Sequence, residues 1–421
     1  MFLHLDLDCF FASAHRIDNT KYDNIPIAVG GRSNLNIFNK IKQKRVMSNI
    51  EGAFTSSILT SNENKTFEEY FKDPDGRLRG IITTSSYEAR SYGVKTAMSV
   101  SEAIRLCPTL TILPPNYPLY HELSYKLKIL LEKEIPHVQQ GSIDEFYGNV
   151  DGWIKEEDIL EFCFNLKQKI KDDLGLPISI GIAHTKYIAK LATNHAKPFG
   201  IKYVPRQERE EFIKNMPISN FPGIGKNYEQ RLFKYGIKKL GDIKNNKELF
   251  YSWKKPGIEL YNRICGIDND KIEIIDDKKS IGLGRTFDAF EDRIEIKRRI
   301  NILCRHLSFI AIKNNYKPLT YSLKIRYEYG KSNKDYVNSH RMFNESVFKQ
   351  MTIEIFNKID IHPTHKIVQL NITLSNFSSQ KQTTFDMFNL ENDLKEENLS
   401  KSMHKLRDKF GIDIIKSANE M

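Results

Sequence analysis

The chain has 421 residues, a mass of 49.0 kDa and a net charge of +11, with a pI of about 9.1. A chain of this length can form roughly two to four domains. Its excess of basic residues favours a polyanionic partner, most often a nucleic acid. The alternative is that proteins of the source organism are generally rich in lysine. The five cysteines are scattered without a CxxC pair, so neither a disulfide framework nor a zinc site is indicated. No apolar run is long enough to cross a membrane and no signal peptide precedes the first strand, so we expect a cytoplasmic protein.

The N-terminal run Leu-His-Leu-Asp-Leu-Asp at residues 3–8 alternates apolar and polar side chains. This period of two predicts a half-buried strand that carries Asp6 and Asp8 on one face. Taken alone, the two acids could belong to a solvated strand face.

A second acidic pair, Asp144 and Glu145, lies between β-prone runs at residues 137–140 and 146–150. This arrangement is typical of the bend of a hairpin, where an acidic residue could also be an ordinary turn residue. If the hairpin lies beside the N-terminal strand, the carboxylates of both clusters converge, and their mutual repulsion has to be offset by cations. Mg²⁺ is a suitable cation because it prefers oxygen ligands. Together the two clusters indicate two-metal phosphoryl transfer.

Between these clusters, strands are predicted at residues 25–30 and 80–84. The polar stretch of about residues 33–78 that separates them contains a basic run at residues 40–45, and we interpret it as an insertion, mainly a solvated loop with one or two short helices. The next region predicts a mixed sheet with helices on one face. Its elements are helices at 117–133, 156–174 and 185–195, the hairpin, and a strand at 178–182.

The C-terminal half predicts two further regions. Residues 205–275 are expected to be helical, with the turn Pro-Gly-Ile-Gly-Lys at 222–226, and a charged linker follows. From residue 280 the order becomes β-α-β-β-α-β. Its strands are predicted at 282–287, 319–329, the run after the Gly-Lys-Ser-Asn turn and 366–377, and its helices at 295–313 and 344–358.

Six separated motifs occur in an order that resembles the Y family of DNA polymerases, in particular the bacterial DNA polymerase IV type. The resemblance covers nearly the whole chain, and its motifs lie at residues 6–13, 86–90, 142–145, 179–183, 196–200 and 222–226. It implies an α+β fold, a right-hand polymerase with a ferredoxin-like palm, small fingers, a helical helix-hairpin-helix thumb and an α+β little finger. The implied boundaries are 1–9 and 116–204 for the palm, 10–115 for the fingers, 205–271 for the thumb, 272–279 for a linker and 280–421 for the little finger.

The resemblance also implies the catalytic residues. Asp6, Asp144 and Glu145 match the ligands of two Mg²⁺ ions, with the carbonyl oxygen of Leu7 as a further ligand, and Glu145 matches the active-site acid. The family pattern does not make Asp8 a ligand, and we expect it to have a structural role in the palm.

The nucleotide site is implied in the same way. Phe11 matches the steric gate that excludes a 2′-hydroxyl, and Phe10 is expected both to pack and to line the pocket. The side chains that match triphosphate-binding positions are Thr84, Tyr87, Arg90 and Lys197. Tyr87 and Arg90 are three residues apart and share a face if a helix begins near Ser86.

Expected contacts with macromolecules complete the resemblance. The candidate DNA contacts are Gly223, Gly225 and Lys226 in the thumb and Arg285 and Arg341 in the little finger. Residues 382–388 resemble the peptide that binds the bacterial sliding clamp, although an edge strand is the alternative. Its anchors would be Gln382, Phe385, Met387 and Phe388.

The expected function is therefore template-directed, low-fidelity addition of deoxynucleotides to a primer 3′ end, in translesion synthesis, by a nucleoid-associated bacterial monomer. A subunit like polymerase V that depends on accessory proteins and a non-catalytic scaffold recruited to the clamp are the alternatives. A nucleotide cyclase would have no use for a thumb or little finger.

Overall fold

The computed structural model describes residues 1–33, 35–38, 46–47, 58–59, 65–267, 270–272, 278–378 and 388–421. Its strands are β1 (Phe2–Leu7), β2 (Ile27–Gly31), β3 (Val46–Met47), β4 (Ile58–Leu59), β5 (Ile81–Ser85), β6 (Thr111–Leu113), β7 (His137–Gln140), β8 (Glu145–Asn149), β9 (Ile178–Ala183), β10 (Ile201–Val204), β11 (Ser280–Phe290), β12 (Pro318–Tyr327), β13 (Ser332–Asn338) and β14 (Ile367–Phe377).

The α-helices are α1 (Phe10–Asp18), α2 (Phe67–Phe71), α3 (Tyr87–Ser91), α4 (Val100–Leu106), α5 (Tyr117–Glu134), α6 (Ile159–Leu174), α7 (Lys186–Ala196), α8 (Arg209–Lys214), α9 (Lys226–Phe233), α10 (Lys247–Ser252), α11 (Lys254–Ile264), α12 (Arg293–Lys313), α13 (Glu345–Ile359) and α14 (Leu390–Phe410). Short 3₁₀ segments occur at Thr20–Tyr22, Leu35–Phe38, Glu156–Asp158, Ile218–Asn220, Leu240–Asn246 and Ala418–Glu420. No helix of this described part is long and apolar enough to cross a membrane.

The chain forms two compact units. The described residues of the first are 1–31, 65–267 and 270–272, and those of the second are 32–33, 35–38, 46–47, 58–59, 278–378 and 388–421.

The main sheet of the first unit has the strand order β10-β9-β1-β8-β7. Strand β1 is central and pairs antiparallel with both β8 and β9. One face of the sheet packs its apolar side chains, including Leu3, Leu5 and Phe146, against α5 and α6. This is the predicted ferredoxin-like arrangement, with β10 as an additional strand that the sequence analysis did not identify.

The expectation that β1 is half-buried, with helices on one face of the sheet only, is wrong. Helix α7 covers the second face, where the hydroxyl of Thr193 lies 2.8 Å from His4 Nδ1 and His4 is fully buried. Gly181 on β9 permits this close packing, because a Cβ there would lie 2.1 Å from the carbonyl oxygen of Ala189. The alternation in β1 therefore separates an apolar face from a polar but equally buried one.

Two smaller parts complete the first unit. A three-stranded sheet of order β5-β2-β6 carries α3 at the end of β5. Helices α8 to α11 form the predicted helical region, whose core includes Phe221, Leu232, Phe250 and Leu260.

The second unit is a four-stranded antiparallel sheet of order β11-β14-β12-β13, covered by α12 and α13. This confirms the predicted β-α-β-β-α-β order. The polar run at residues 390–398, which follows the clamp-like segment, forms the first part of helix α14. Ion pairs hold this helix, because Asp393 binds Arg341 at 2.5 Å and Arg407 binds the buried Glu345.

The predicted insertion contributes to the core of this second unit. Ile37 and Phe38 are each 4% exposed, and the Phe38 ring contacts the Phe287 ring edge-on at 6.1 Å between centroids. The guanidinium of Arg299 lies 4.7 Å from the Phe38 ring centre. This part is thus packed and not the solvated loop that we expected, whereas the basic run at residues 40–45 lies outside the described residues.

Candidate active site

The two acidic clusters meet on neighbouring strands. In the register of β1 and β8, Asp6 lies directly opposite Glu145, and the backbone N–H of Leu7 donates to the carbonyl oxygen of Asp144 at 3.0 Å. Asp144 also accepts a hydrogen bond from the Ser142 hydroxyl at 2.5 Å, which fixes the bend. The hairpin therefore places the three predicted carboxylates beside one another, as the sequence analysis expected.

Two lysines neutralise this cluster. The Nζ atom of Lys197 lies 2.7 Å from Asp6 Oδ1, and the Nζ atom of Lys190 lies 2.6 Å from Glu145 Oε2. Lys197 follows α7 and was predicted to belong to the site. Lys190, on α7, was missed, although its spacing of seven residues from Lys197 and four from Lys186 indicates a common side of the helical segment.

The acids differ in electrostatic environment. Burial raises the pKa of the Asp6 carboxyl to about 7, and the Lys197 ammonium only partly opposes this shift. Burial also raises the pKa of Asp144. Burial alone would raise the pKa of Glu145 as well, but the nearby His4 ring and Lys190 ammonium lower it to about 2.

His4 is a second part of the site to which the sequence analysis gave no role. Its buried ring lies with Nε2 3.9 Å from Glu145 Oε2, too far for a hydrogen bond, and among the described residues Nε2 has no hydrogen-bond partner. Burial lowers the pKa of this imidazole, so the neutral form is favoured.

The cluster fits a divalent cation. Ligand atoms of His4, Asp6 and Glu145 lie within 4.8 Å of one another, and the negative charge of Asp144 contributes to the raised pKa of Asp6. Carboxylates whose pKa is raised by burial are stabilised in their ionised form by a cation, and oxygen donors suit Mg²⁺. His4, Asp6 and Glu145 are therefore the described residues whose ligand atoms are close enough to share one ion, and the predicted set of Asp6, Leu7, Asp144 and Glu145 shares two residues with this group.

The two phenylalanines that follow the first cluster differ in exposure. Phe10 is 3% exposed and belongs to the apolar core, whereas Phe11 is partly exposed and stacks on Tyr120 at 4.2 Å between ring centroids, with an interplanar angle of 12°. The stacked Tyr120 limits how far the Phe11 ring can move. This geometry suits a rigid wall at Phe11 and a packing role at Phe10.

The predicted triphosphate residues lie at the end of β5 and in α3. Helix α3 begins next to Ser86, as predicted, and Ser86 caps it by accepting from the backbone N–H of Ala89. The Arg90 guanidinium lies 4.9 Å from the Tyr87 ring centre, so these side chains share one side of the helix, and Thr84 occupies β5.

The Pro-Gly-Ile-Gly-Lys turn precedes α9. Gly223 has a φ of +100°, a conformation that favours glycine, and a Cβ at Gly225 would meet no atom within 4 Å. Lys226 is the first residue of the helix and is exposed. An open backbone at a helix N-terminus is suited to a phosphate group.

The remaining predicted contacts lie in the second unit. Arg285 is partly buried on β11, and Arg341 forms the ion pair with Asp393 described above. A phosphate that binds Arg341 would have to share it with this carboxylate. In the clamp-like segment, Gln382, Phe385 and Met387 lie outside the described residues, and Phe388 is fully exposed.

Comparisons with known proteins agree with this arrangement. Family models match at residues 5–194 (impB/mucB/samB family), 206–237 (the IMS family HHH motif) and 278–387 (the impB/mucB/samB family C-terminal domain). A curated protein called DNA polymerase IV from Oceanobacillus iheyensis is 31% identical over 98% of this chain and 90% of its own. Another of that name from Alkaliphilus oremlandii is 28% identical over 99% and 97%.

Solved structures share the fold. A Y-family DNA polymerase chimera superimposes with a TM-score of 0.69 at 21% identity, covering 89% of this chain and 98% of the chimera. An insertion ternary complex of Dbh DNA polymerase gives a TM-score of 0.56 at 20% identity, with 89% and 98% covered.

Proposed function

Because the chain belongs to the impB/mucB/samB family, the Y family of DNA polymerases, we propose that it is a DNA-directed DNA polymerase that extends primers across damaged template by two-metal catalysis. The observation that carries this proposal is that the buried Asp6 on β1 lies opposite Glu145 on β8, with Asp144 just before β8 and Lys197 at 2.7 Å from Asp6. The substrates are primer–template DNA and deoxynucleoside triphosphates.

Two Mg²⁺ ions, held by Asp6, Asp144, Glu145 and the Leu7 carbonyl, would activate the primer 3′-oxygen and stabilise the leaving pyrophosphate. The side chains around them hold the substrate. Lys197 neutralises oxygens of the β- and γ-phosphates and so favours pyrophosphate as a leaving group.

The fingers bind the rest of the triphosphate. Arg90 presents a forked donor to phosphate oxygens, and Tyr87 and Thr84 line the same site. Phe11, fixed by its stacking on Tyr120, lies under the sugar and excludes a 2′-hydroxyl. Phe10 supports Phe11 from the core.

Contacts outside the active site hold DNA without reading its sequence. The backbone N–H groups near Gly223 and Gly225 and the side chain of Lys226 bind template or primer phosphates, as do Arg285 and Arg341 in the little finger. Such contacts weaken with salt because binding releases counterions. Residues 382–388 bind the sliding clamp, with Gln382 and the apolar anchors Phe385, Met387 and Phe388 in a groove.

Primer extension tests the proposal. The purified chain is given a primed template, Mg²⁺ and one deoxynucleotide at a time, on undamaged DNA and on DNA with an abasic site. Incorporation of the complementary nucleotide and extension past the lesion support the proposal. DNA binding without extension would favour a scaffold, and extension only with accessory proteins would favour a polymerase V-like subunit.

A further inference from the structure

Asp8 is a buried carboxylate to which neither the metal cluster nor the nucleotide site assigns a role. It is 1% exposed and lies one residue beyond the end of β1. Three neutral groups donate to it: Tyr87 Oη to Oδ1 at 2.7 Å, and Ser179 Oγ at 2.7 Å and the backbone N–H of Phe199 at 3.1 Å, both to Oδ2. Hydrogen bonds to a charged acceptor in a buried place are among the stronger ones in proteins.

The three donors come from different parts of the first unit. Ser179 belongs to β9 and anchors the carboxylate to the main sheet, where the backbone N–H of Asp8 also donates to the Pro177 carbonyl at 2.9 Å. Tyr87 begins α3, and Phe199 lies two residues after Lys197. One carboxylate therefore connects the sheet to both segments that carry proposed triphosphate ligands.

We infer that Asp8 is a positioning residue for the incoming triphosphate, which fixes Tyr87 and the turn that bears Lys197 relative to the metal-binding strand. This inference rests on the proposed function, because it takes Tyr87 and Lys197 as triphosphate ligands. It gives the second aspartate of the N-terminal motif a task distinct from that of Asp6.

The hydrogen bond from Tyr87 to Asp8 affects how the Tyr87 hydroxyl can bind a phosphate. A phenol has one proton to donate, and in the structure Tyr87 donates it to Asp8. A phosphate oxygen that approaches Tyr87 Oη competes for the same proton. Asp8 thus determines where the hydroxyl lies and how readily it turns to the nucleotide.

Asp8→Asn tests the inference with almost no change of shape. One carboxylate oxygen becomes an NH₂ group that cannot accept, so at least one of the three donors loses its acceptor. Single-nucleotide incorporation gives kcat and the KM for the nucleotide, while anisotropy gives the Kd for primer–template and denaturation gives stability. We expect a KM about tenfold higher, a smaller change in kcat and an unchanged Kd for DNA.

Three further variants separate positioning from simple stability. Ser179→Ala removes the hydrogen bond from Ser179 Oγ to Asp8 Oδ2 and changes no proposed ligand. We expect a KM for the nucleotide several-fold higher, and this variant keeps the inference testable if Asp8→Asn does not fold. Ser124→Ala removes another hydrogen bond of this unit, a partly buried one that Gln140 donates at 2.9 Å, and should leave KM unchanged. Tyr87→Phe should raise the KM for the nucleotide. Adding Asp8→Asn to Tyr87→Phe should raise this KM by a smaller factor than Asp8→Asn does in the wild type.

The outcomes are distinct. If Tyr87→Phe raises KM but Asp8→Asn and Ser179→Ala change only stability, the positioning role is overturned while the proposed function remains. If all variants extend primers and Tyr87→Phe leaves KM unchanged, the assignment of Tyr87 is wrong and the inference fails with it. A smaller effect of Asp8→Asn on KM in the Tyr87→Phe background than in the wild type supports the inference.

Discussion

Lys197 Nζ lies 2.7 Å from Asp6 Oδ1, so the proposed phosphate ligand is paired with a proposed metal ligand. The Lys197 ammonium offsets part of the free-energy cost of burying the ionised Asp6 carboxylate. In the proposed complex it lies between this carboxylate and the phosphates of the nucleotide. A lysine in this position and a divalent cation compete for the same carboxylate.

Lys197→Ala is therefore expected to act in opposite directions on two ligands. The KM for the nucleotide should rise about tenfold or more because a charged contact with phosphate is lost. The Kd for Mn²⁺, measured by calorimetry without nucleotide, should decrease, since a neighbouring positive charge has been removed. Lys169→Ala is the control, because Lys169 pairs with Glu134 at 2.5 Å in an exposed place. An unchanged KM in Lys197→Ala would contradict the assignment.

Phe11→Ala should relax sugar discrimination. Without the ring that stacks on Tyr120, a 2′-hydroxyl can enter, and the preference for deoxynucleotides over ribonucleotides should fall on the order of a hundredfold. The ratio of kcat/KM values for dCTP and CTP measures this. Phe10→Ala is the matched comparison: it should lower stability by about 3 kcal/mol or more and alter the ratio much less. Equal effects of the two substitutions on discrimination would rule out Phe11 as the gate.

The second unit should be sensitive to acid through Glu420. Its buried carboxylate accepts from Arg305 Nε and Lys349 Nζ, each at 2.6 Å. Burial alone would raise its pKa, but these two cations hold the pKa below the ordinary 4.5. The folded pKa is depressed, so the stabilisation is present above pH 4.5 and is lost as the pH falls through the folded value.

Glu420→Gln should accordingly lower the free energy of unfolding at pH 7 by about 3 kcal/mol, because the buried Arg305 and Lys349 lose a shared carboxylate and, within the described part of the chain, keep only Asp413 and Glu345 as ionic partners. The difference from wild type should shrink as the pH falls below 4.5 and through the depressed pKa of Glu420. Hydrogen exchange of the amides in α12, followed over a series of denaturant concentrations, measures the free energy of unfolding of this unit. Glu391→Gln, whose side chain is 88% exposed beside Lys395, is the control. A difference that stays constant with pH would refute the ionised pair.

Phe38→Ala should destabilise the second unit, although residue 38 is distant from it in sequence. The substitution removes a ring packed on Phe287 and Arg299, and the expected loss is about 3 to 5 kcal/mol. Faster hydrogen exchange in β11 and the first turns of α12 would show it. Phe410→Ala, at a side chain 60% exposed in the same unit, should have little effect. Unchanged exchange in Phe38→Ala would mean that this packing does not form in solution.

Local patterns were sufficient to predict much of the fold and the carboxylate cluster. Asp6 and Glu145 could be expected to meet because alternation defines β1 and a hairpin defines β8, leaving only their pairing to be assumed. The alternation in β1 places His4 on the same face as Asp6, but nothing in the local pattern indicates that α7 buries His4 against Thr193.

Other features depend on contacts between distant residues. Lys190 enters the site only because α7 packs on Gly181, a close approach that a periodicity argument does not reveal. The residues that begin α14 look like a polar loop, since the helix is held by ion pairs such as Arg407 with Glu345 and not by an apolar stripe. Ile37 and Phe38 lie in a stretch whose polar composition concealed two core residues.

The most direct test of the central claim is single-nucleotide incorporation by a chain carrying Asp144→Asn and Glu145→Gln. These changes keep the size of the side chains and remove two of the three carboxylates proposed to hold metal. We expect incorporation to fall by a factor of about a thousand or more while the Kd for primer–template stays within about twofold of wild type. Incorporation at the wild-type rate by this variant would contradict the assignment of the catalytic site.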